Sequence, residues 1–324
     1  MVVYKTNPVR AAPGRTRRAL ETSSPGVFPL PADAETLKRG SHDESRMSRE
    51  FSMDRRAYVR ALGAGGVAVG LAGCNGNGNG GGGVEIAFEI ETGEQYGFGV
   101  REDDSERLEA VNSGLSAARE DGVYDALYEE YIEAGEDAGD VTEGADGGTD
   151  AGTIVAGTAP GFAPFEFENS DGELVGFDVE LTEAIVARTD YEFGGFETFE
   201  FDSLIPALQD GNIDLIAAAV TITEDRDEQI DFSDPYYEAN QAVLVRSGAD
   251  FDPSSREDLE GSVVGAQSGT TGEGEVDKLI DEGIISEGDK RTYDNYELAV
   301  TDLENGNIDA VIIDVPAAAD FANR

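Results

Sequence analysis

The sequence predicts an α/β fold built on covered sheets, and three observations predict it. Residues 213–220 are apolar at nearly every position, follow a Gly211-Asn212 turn and precede Thr221-Ile222-Thr223. A run so short, bounded by turn residues, reads as a buried strand rather than a helix. Being apolar on both faces, it suits a parallel sheet covered on both sides. The heptapeptide LQDGNID at 208–214 returns as LENGNID at 303–309, ninety-five residues later, and runs into a second apolar strand at 310–313. From Thr153 onward strand-like and helix-like segments alternate, which predicts right-handed βαβ crossovers.

Ligands of open α/β sheets gather beyond the C-terminal strand ends. After 213–220 come the hydroxyls of Thr221 and Thr223, backbone N–H groups and Arg226. That set can receive a carboxylate, because a guanidinium grips one through two parallel charge-assisted bonds. The alternative is a surface arginine paired with Asp225 or Glu228. The second copy of the repeat ends on Asp314. One strand ending near a cation and another on an anion could hold the two poles of a zwitterion; the alternative is that Gly-Asn is a common turn after a helix.

These segments, with 157–167 (GTAPGFAPFEF), 172–181 (GELVGFDVEL), 201–208 (FDSLIPAL), 231–236 (DFSDPY), 265–271 (GAQSGTT) and 310–316, resemble in order the polar-amino-acid solute-binding proteins of ABC importers, extracellular solute-binding family 3. The resemblance covers most of 153–324. It implies the periplasmic binding protein type 2 fold, with two lobes, a two-strand hinge and a ligand cleft between them. It also implies amino-acid capture by lobe closure and presentation to membrane permease subunits, with no cofactor, no metal and a monomeric chain.

Position by position, the resemblance makes Arg226 the holder of the α-carboxylate, with Thr221 and the backbone of Ala219 beside it. Ser268, Gly269, Thr270 and Thr271 form a loop at a helix N-terminus that gives N–H groups to the same carboxylate. Asp314 accepts from the α-ammonium. Phe162 and Phe201 are the aromatic walls, or else core residues. Gln267 offers an amide to a polar side chain. Two departures are Ala159, where relatives often carry an acid, and Ile313, where some carry a polar residue. Both point to a polar or neutral ligand rather than a basic one.

Charge narrows the class. The chain has 324 residues, 68 acidic and 23 basic. Up to Cys74 there are 12 Lys and Arg against 7 Asp and Glu; beyond it, 11 against 61, a net −50. Such a surface is expected of a protein from high salt and argues against nucleic acid or an anionic membrane as partner. The single histidine, His42, lies near the start, and the single cysteine is Cys74. The pocket offers no evident acid–base pair, so a binding protein is expected rather than an enzyme. A dehydratase resembling the cyclohexadienyl dehydratases and a chemosensory ligand-binding lipoprotein remain the alternatives.

Residues 1–52 read as a disordered leader or a misplaced start. Residues 53–74 carry Arg55-Arg56, an apolar stretch at 61–72 too short to span a bilayer, and Leu71-Ala72-Gly73-Cys74, similar to a lipobox. Twin-arginine export and lipid anchoring at Cys74, on the outer face of the cell membrane, are expected. A Gly/Asn tether follows at 75–83.

Two strands are expected at 84–90 and 94–100. A helix follows that Asp104 or Ser105 caps and Gly122 stops, with Leu108, Val111, Leu115 and Ala118 inward. A second helical stripe is Tyr124, Leu127, Tyr128 and Tyr131. In the family this block resembles the C-terminal end, yet here it precedes the N-terminal motif. Either the order is circularly permuted, or the tail of one gene copy is fused to the head of the next. Residues 133–152, acidic and Gly-rich, then link the two blocks; at about 5–6 Å × √n they reach roughly 25 Å. On this reading 84–94 and 247–324 form lobe 2, and 95–132 with 153–246 form lobe 1. The hinge strands lie near 95–100 and 240–246.

Overall fold

The structure, a computed structural model, describes residues 83–133, 135 and 137–324. The leader, the arginine pair, Cys74 and nearly all of the tether lie outside the described residues. Two five-stranded sheets carry the fold. The first runs in the order β6 (Tyr191–Thr198), β3 (Gly152–Thr158), β7 (Leu215–Ile216), β2 (Gly99–Arg101), β8 (Ile230–Phe232). The second runs β1 (Val84–Tyr96), β9 (Tyr237–Arg246), β12 (Ala310–Asp314), β10 (Val264–Gln267), β11 (Lys290–Tyr293). Parallel pairs form the centres, β3 with β6 and β7, and β10 with β11 and β12. Antiparallel strands complete each sheet.

Helices cover the sheets because each has one apolar stripe to bury. On the first sheet's side, α1 (Ser105–Glu120) packs on α2 (Val123–Tyr131) and on α3 (Phe177–Val186). Asp104 caps α1 by accepting from the Arg107 N–H, and Val111, Leu115 and Ala118 are buried as the spacing predicts. The short α4 (Leu204–Gln209) leads into the first copy of the repeat, and one turn, α5 (Glu224–Asp227), carries Arg226. On the second sheet, α6 (Thr271–Asp281) and α7 (Tyr296–Glu304) pack on β10 and β12, and α8 (Val315–Asn323) packs on β1 and β9. Each lobe has its own core. Leu204, Leu208, Ile213 and Ile216 belong to one; Val243, Val264, Leu279 and Ile312 belong to the other.

The repeat is structural as well as sequential. In both copies a helix ends on a glycine with positive φ, Gly211 at 75° and Gly306 at 73°, a conformation that favours glycine at a helix C-terminus. The next N–H closes the turn, Asn212 to the Ala207 carbonyl and Asn307 to the Asp302 carbonyl, both at 2.9 Å. The aspartate then clasps the neighbouring strand from both sides. Asp214 donates its N–H to the Val155 carbonyl at 2.7 Å and accepts the Val155 N–H at 3.1 Å; Asp309 does the same with Val263 at 2.8 and 2.8 Å. The seven-residue match therefore encodes one device for starting a parallel strand, used once per lobe.

Three expectations are corrected. The run 213–220 is buried except at Asp214, but only Leu215–Ile216 is strand, and at Ala219 the backbone turns into the left-handed region (φ 46°). The strand expected at 84–90 runs on to Tyr96 as one long β1, whose register slips between Ile90 and Glu94, and the end of the strand expected at 94–100 is β2 in the other sheet. At the slip the Asn240 carboxamide oxygen accepts the Thr92 and Gly93 N–H groups at 3.1 and 3.0 Å, so 91–93 bulge rather than turn. Because β9 pairs with β1 and β12 from Tyr237 onward, the chain enters the second lobe ten residues earlier than the 246/247 boundary. The crossings lie at 96–99 and 233–237. Strands β6 and β11, helix α8 and the hairpin β4 (Phe167–Glu168)–β5 (Leu174–Val175) carry no signal used above.

The segment 137–152 lies along the first lobe. Gly147 and Gly148 donate to the Ala187 and Thr189 carbonyls at 3.2 and 2.9 Å, and Ala151 to that of Asp190 at 2.9 Å. A Cβ at Gly147 would stand 2.2 Å from the Ala187 oxygen, so only glycine fits that approach.

Candidate functional site

Both apolar strand ends open into one cleft between the sheets, lined by residues of both. The first sheet's side supplies Phe162, Phe201, Ala219, Thr221 and Arg226; the second supplies Gln267, Thr270, Thr271 and Asp314. The lobes are in contact across it. The Arg226 guanidinium donates to the Gly269 carbonyl at 2.9 Å, and Ser268 Oγ donates to Asp202 at 2.9 Å. The Phe162 and Tyr296 rings meet at 5.7 Å.

Arg226 is mounted firmly. Thr223 caps its short helix, its Nη1 donates to the Thr221 carbonyl at 2.7 Å, and its guanidinium lies 5.4 Å from the Phe201 ring centre. Phe201 is thus both a cavity wall and a cation–π partner. Burial depresses the Arg226 pKa, and the Asp314 and Glu94 carboxylates oppose that. A guanidinium has five N–H donors, and these backbone bonds leave donors for a ligand.

Asp314 ends β12 almost fully buried. It accepts from the Tyr96 hydroxyl at 2.8 Å and from the Gln241 amide at 2.9 Å. Burial and the nearby Glu94 carboxylate push it up to about 7, while the Tyr96 and Gln241 bonds pull it down. Glu94 accepts from three groups, the hydroxyls of Thr221 and Thr271 at 3.0 and 2.9 Å and the Gln241 amide at 3.1 Å.

The loop 268–271 departs from expectation. Ser268 and Gly269 do not line the cavity. The Ser268 N–H goes to the Tyr293 carbonyl at 2.8 Å, that of Gly269 to the Glu273 carboxylate at 2.8 Å, and that of Thr270 to the Gln267 carbonyl at 3.4 Å. Thr270 caps α6 instead, and the first-turn N–H groups of Thr271 and Gly272 have no acceptor within the helix. Gln267 faces the cavity, but its amide nitrogen donates to the Asp294 carbonyl at 3.1 Å. Ile313 is buried inside β12 and does not line the cavity.

Sequence reasoning passed over Glu166, Tyr296, Tyr96 and Glu94. Glu166 is the most consequential. It lines the cavity at 1% exposure, and its Oε2 has no hydrogen-bond partner among the described residues. Burial raises its pKa well above the carboxylate range, and the Asp178 and Asp314 charges add to this. An acid one residue before Phe167 in GTAPGFAPFEF was visible, but nothing local distinguished it from a surface glutamate.

Comparison with known proteins agrees with this architecture. Residues 154–312 match the family model of bacterial extracellular solute-binding proteins, family 3. A probable histidine-binding protein of Neisseria gonorrhoeae is 39% identical over 166 residues, which is 50% of this chain and 59% of that one. An arginine-binding periplasmic protein of Mannheimia haemolytica is 32% identical over 165 residues, 51% of this chain and 64% of that one. The solved structure of an ancestral arginine-binding protein bound to arginine is 41% identical, covering 53% of this chain and 74% of that one, with a TM-score of 0.50. The chain therefore spans about 60% of the length of the curated relatives it matches. It belongs to the extracellular solute-binding proteins of family 3, and its fold is the two-lobed type 2 fold of the periplasmic amino-acid-binding proteins. Among the described residues, no helix is long and apolar enough to cross a membrane.

Proposed function

We propose that this chain captures a basic amino acid, of the arginine or histidine kind, between its lobes and presents it to the permease of an ABC importer. The charge pattern of the cavity carries this reading. One guanidinium (Arg226) and two buried carboxylates (Asp314 and Glu166) face the same space. A buried carboxylate is costly without a cationic partner. An amino acid with an α-carboxylate, an α-ammonium and a second cationic group supplies one complement to each. The relatives named as histidine- and arginine-binding support the same choice. The polar or neutral ligand expected from Ala159 and Ile313 gives way to a basic one, because Glu166 brings the acid that position 159 lacks. Calorimetric titration with arginine, histidine and glutamine tests this: tighter binding of a basic ligand than of glutamine is expected, and glutamine preferred over both would contradict it.

The permuted order belongs to the same reading. Strand β1 completes the second sheet on β9, and α1 and α2 pack on α3, while the family match begins only at residue 154. Both observations support a block that precedes its family partner in sequence and docks on it in space. Lipid anchoring at Cys74 after twin-arginine export, and action as a monomer, complete the proposal. A rearranged gene encoding 153–324 followed by 84–132 is expected to bind the same ligand with the same affinity; loss of binding would contradict the reading.

A further inference from the structure

The GELVGFDVEL segment carries family resemblance, yet nothing above gives Asp178 a role. Asp178 has 0% exposure and sits in the first turn of α3. Its own N–H donates to the Phe165 carbonyl at 2.9 Å, and that of Phe177 to the Pro164 carbonyl at 2.9 Å, so the carboxylate has a fixed mount. Its Oδ2 accepts the Ala219 N–H at 2.7 Å and the Tyr236 hydroxyl at 2.5 Å. Its Oδ1 has no hydrogen-bond partner among the described residues.

Ala219 is a cavity residue in the left-handed region at φ 46°. A residue with a Cβ holds that conformation only when its surroundings enforce it. The N–H of the Ala218–Ala219 peptide goes to Asp178, which does not line the cavity. The peptide is trans and planar, so the Ala218 carbonyl points away from Asp178; Ala218 and Ala219 both line the cavity. That space also receives Asp314.

We infer that Asp178 is a positioning residue for ligand recognition: by holding the Ala219 N–H it locks the Ala218–Ala219 peptide with its carbonyl aimed at the ligand's α-ammonium, beside Asp314. The inference rests on the proposed capture of an amino acid. It differs from a purely structural role in one respect. A buried hydrogen bond that only stabilised the fold would leave discrimination for the ammonium unchanged, whereas a peptide lock sets that discrimination.

The test uses the full chain with two probes, arginine and 5-guanidinopentanoate, the same molecule without its α-ammonium. The ratio of their dissociation constants reads recognition of the ammonium. Asp178→Ala leaves the Ala219 N–H unheld and is expected to shrink that ratio about tenfold. Asp178→Asn keeps an acceptor and Tyr236→Phe keeps the Asp178–Ala219 bond, so both are expected to hold the ratio within about threefold of the parent. If Asp178→Ala binds with an unchanged ratio, the inference is overturned while the amino-acid reading stands. If the parent binds neither arginine nor any other amino acid, the functional reading falls and the inference with it. Should Asp178→Ala show no cooperative melt, the other two variants decide: a collapsed ratio in either contradicts the lock, and a retained ratio in both agrees with it.

Discussion

Arg226 donates across the cleft to the carbonyl oxygen of Gly269 at 2.9 Å. One element of the first lobe thus both lines the cavity and holds the second lobe shut. This bond exists only when the lobes meet, so the residue proposed to grip the ligand also stabilises the closed form. Enclosure by domain closure around a ligand has this character.

Arg226→Ala removes the charge, both backbone bonds and the contact with Phe201. Calorimetry is expected to show at least a hundredfold loss of affinity. Arg226→Lys keeps a charge but not the forked donor geometry, and is expected to recover only part of the loss. Full affinity in the lysine variant would mean that a point charge suffices and that the bidentate grip is not used.

Glu166→Gln removes a buried acid without changing its shape. Affinity for arginine is expected to fall about tenfold or more, while glutamine gains on arginine. The melting temperature without ligand is expected to rise, because a desolvated carboxylate is replaced by a neutral amide. An unchanged order of ligands would show that Glu166 does not read the side chain.

Much of this site was legible in the chain. Asp314 ends β12 and Arg226 follows the first copy's strand on α5, and the two copies of the repeat singled out both segments. Glu166 and Asp178 were not legible, because their importance comes from burial by segments distant in sequence: Asp178 meets Ala219 41 residues away. The second hinge strand was misplaced for a similar reason. The pattern of 237–246 reads as a strand in either lobe, and only its pairing with β1 and β12 assigns it. The bulge at 91–93 was invisible because Asn240, which organises it, lies about 150 residues on.

Affinity should depend on pH with a definite sign. Asp314 is pushed up from 3.8 to about 7 in the unliganded protein, by burial first and then by Glu94. A bound ammonium favours its ionised form, so ligand binding expels a proton below that value. Affinity is expected to weaken as pH falls, by at most tenfold per unit for the Asp314 proton, and more steeply where Glu166, also raised by burial, releases a second. Stability of the unliganded chain runs the other way. Asp314 and Asp178, the latter pushed to about 7 by burial, hold protons in the folded state that the unfolded chain has lost. Their contribution is complete below about pH 4 and is lost as pH rises through 7. Titrations in two buffers of different ionisation enthalpy check the proton release, and none at pH 6 would contradict it.

The charge beyond Cys74, a net −50, sets the working conditions. Self-repulsion at that density is relieved by screening. The melting temperature is expected to rise steadily between about 0.1 M and molar potassium chloride. A melt independent of salt would show that the acidic surface serves another purpose.

The central claim is that one cleft holds a basic amino acid by its α-groups and its side chain together. The most direct measurement is a thermal-melt screen of the full chain in molar salt against the twenty amino acids, run in parallel on Arg226→Ala. A ligand that binds only the folded state raises the melting temperature by mass action. The account predicts one cooperative melt of the described fold, raised most by arginine or histidine and by none in the variant. A melt raised by neutral amino acids and not by basic ones, or raised equally in Arg226→Ala, would contradict it.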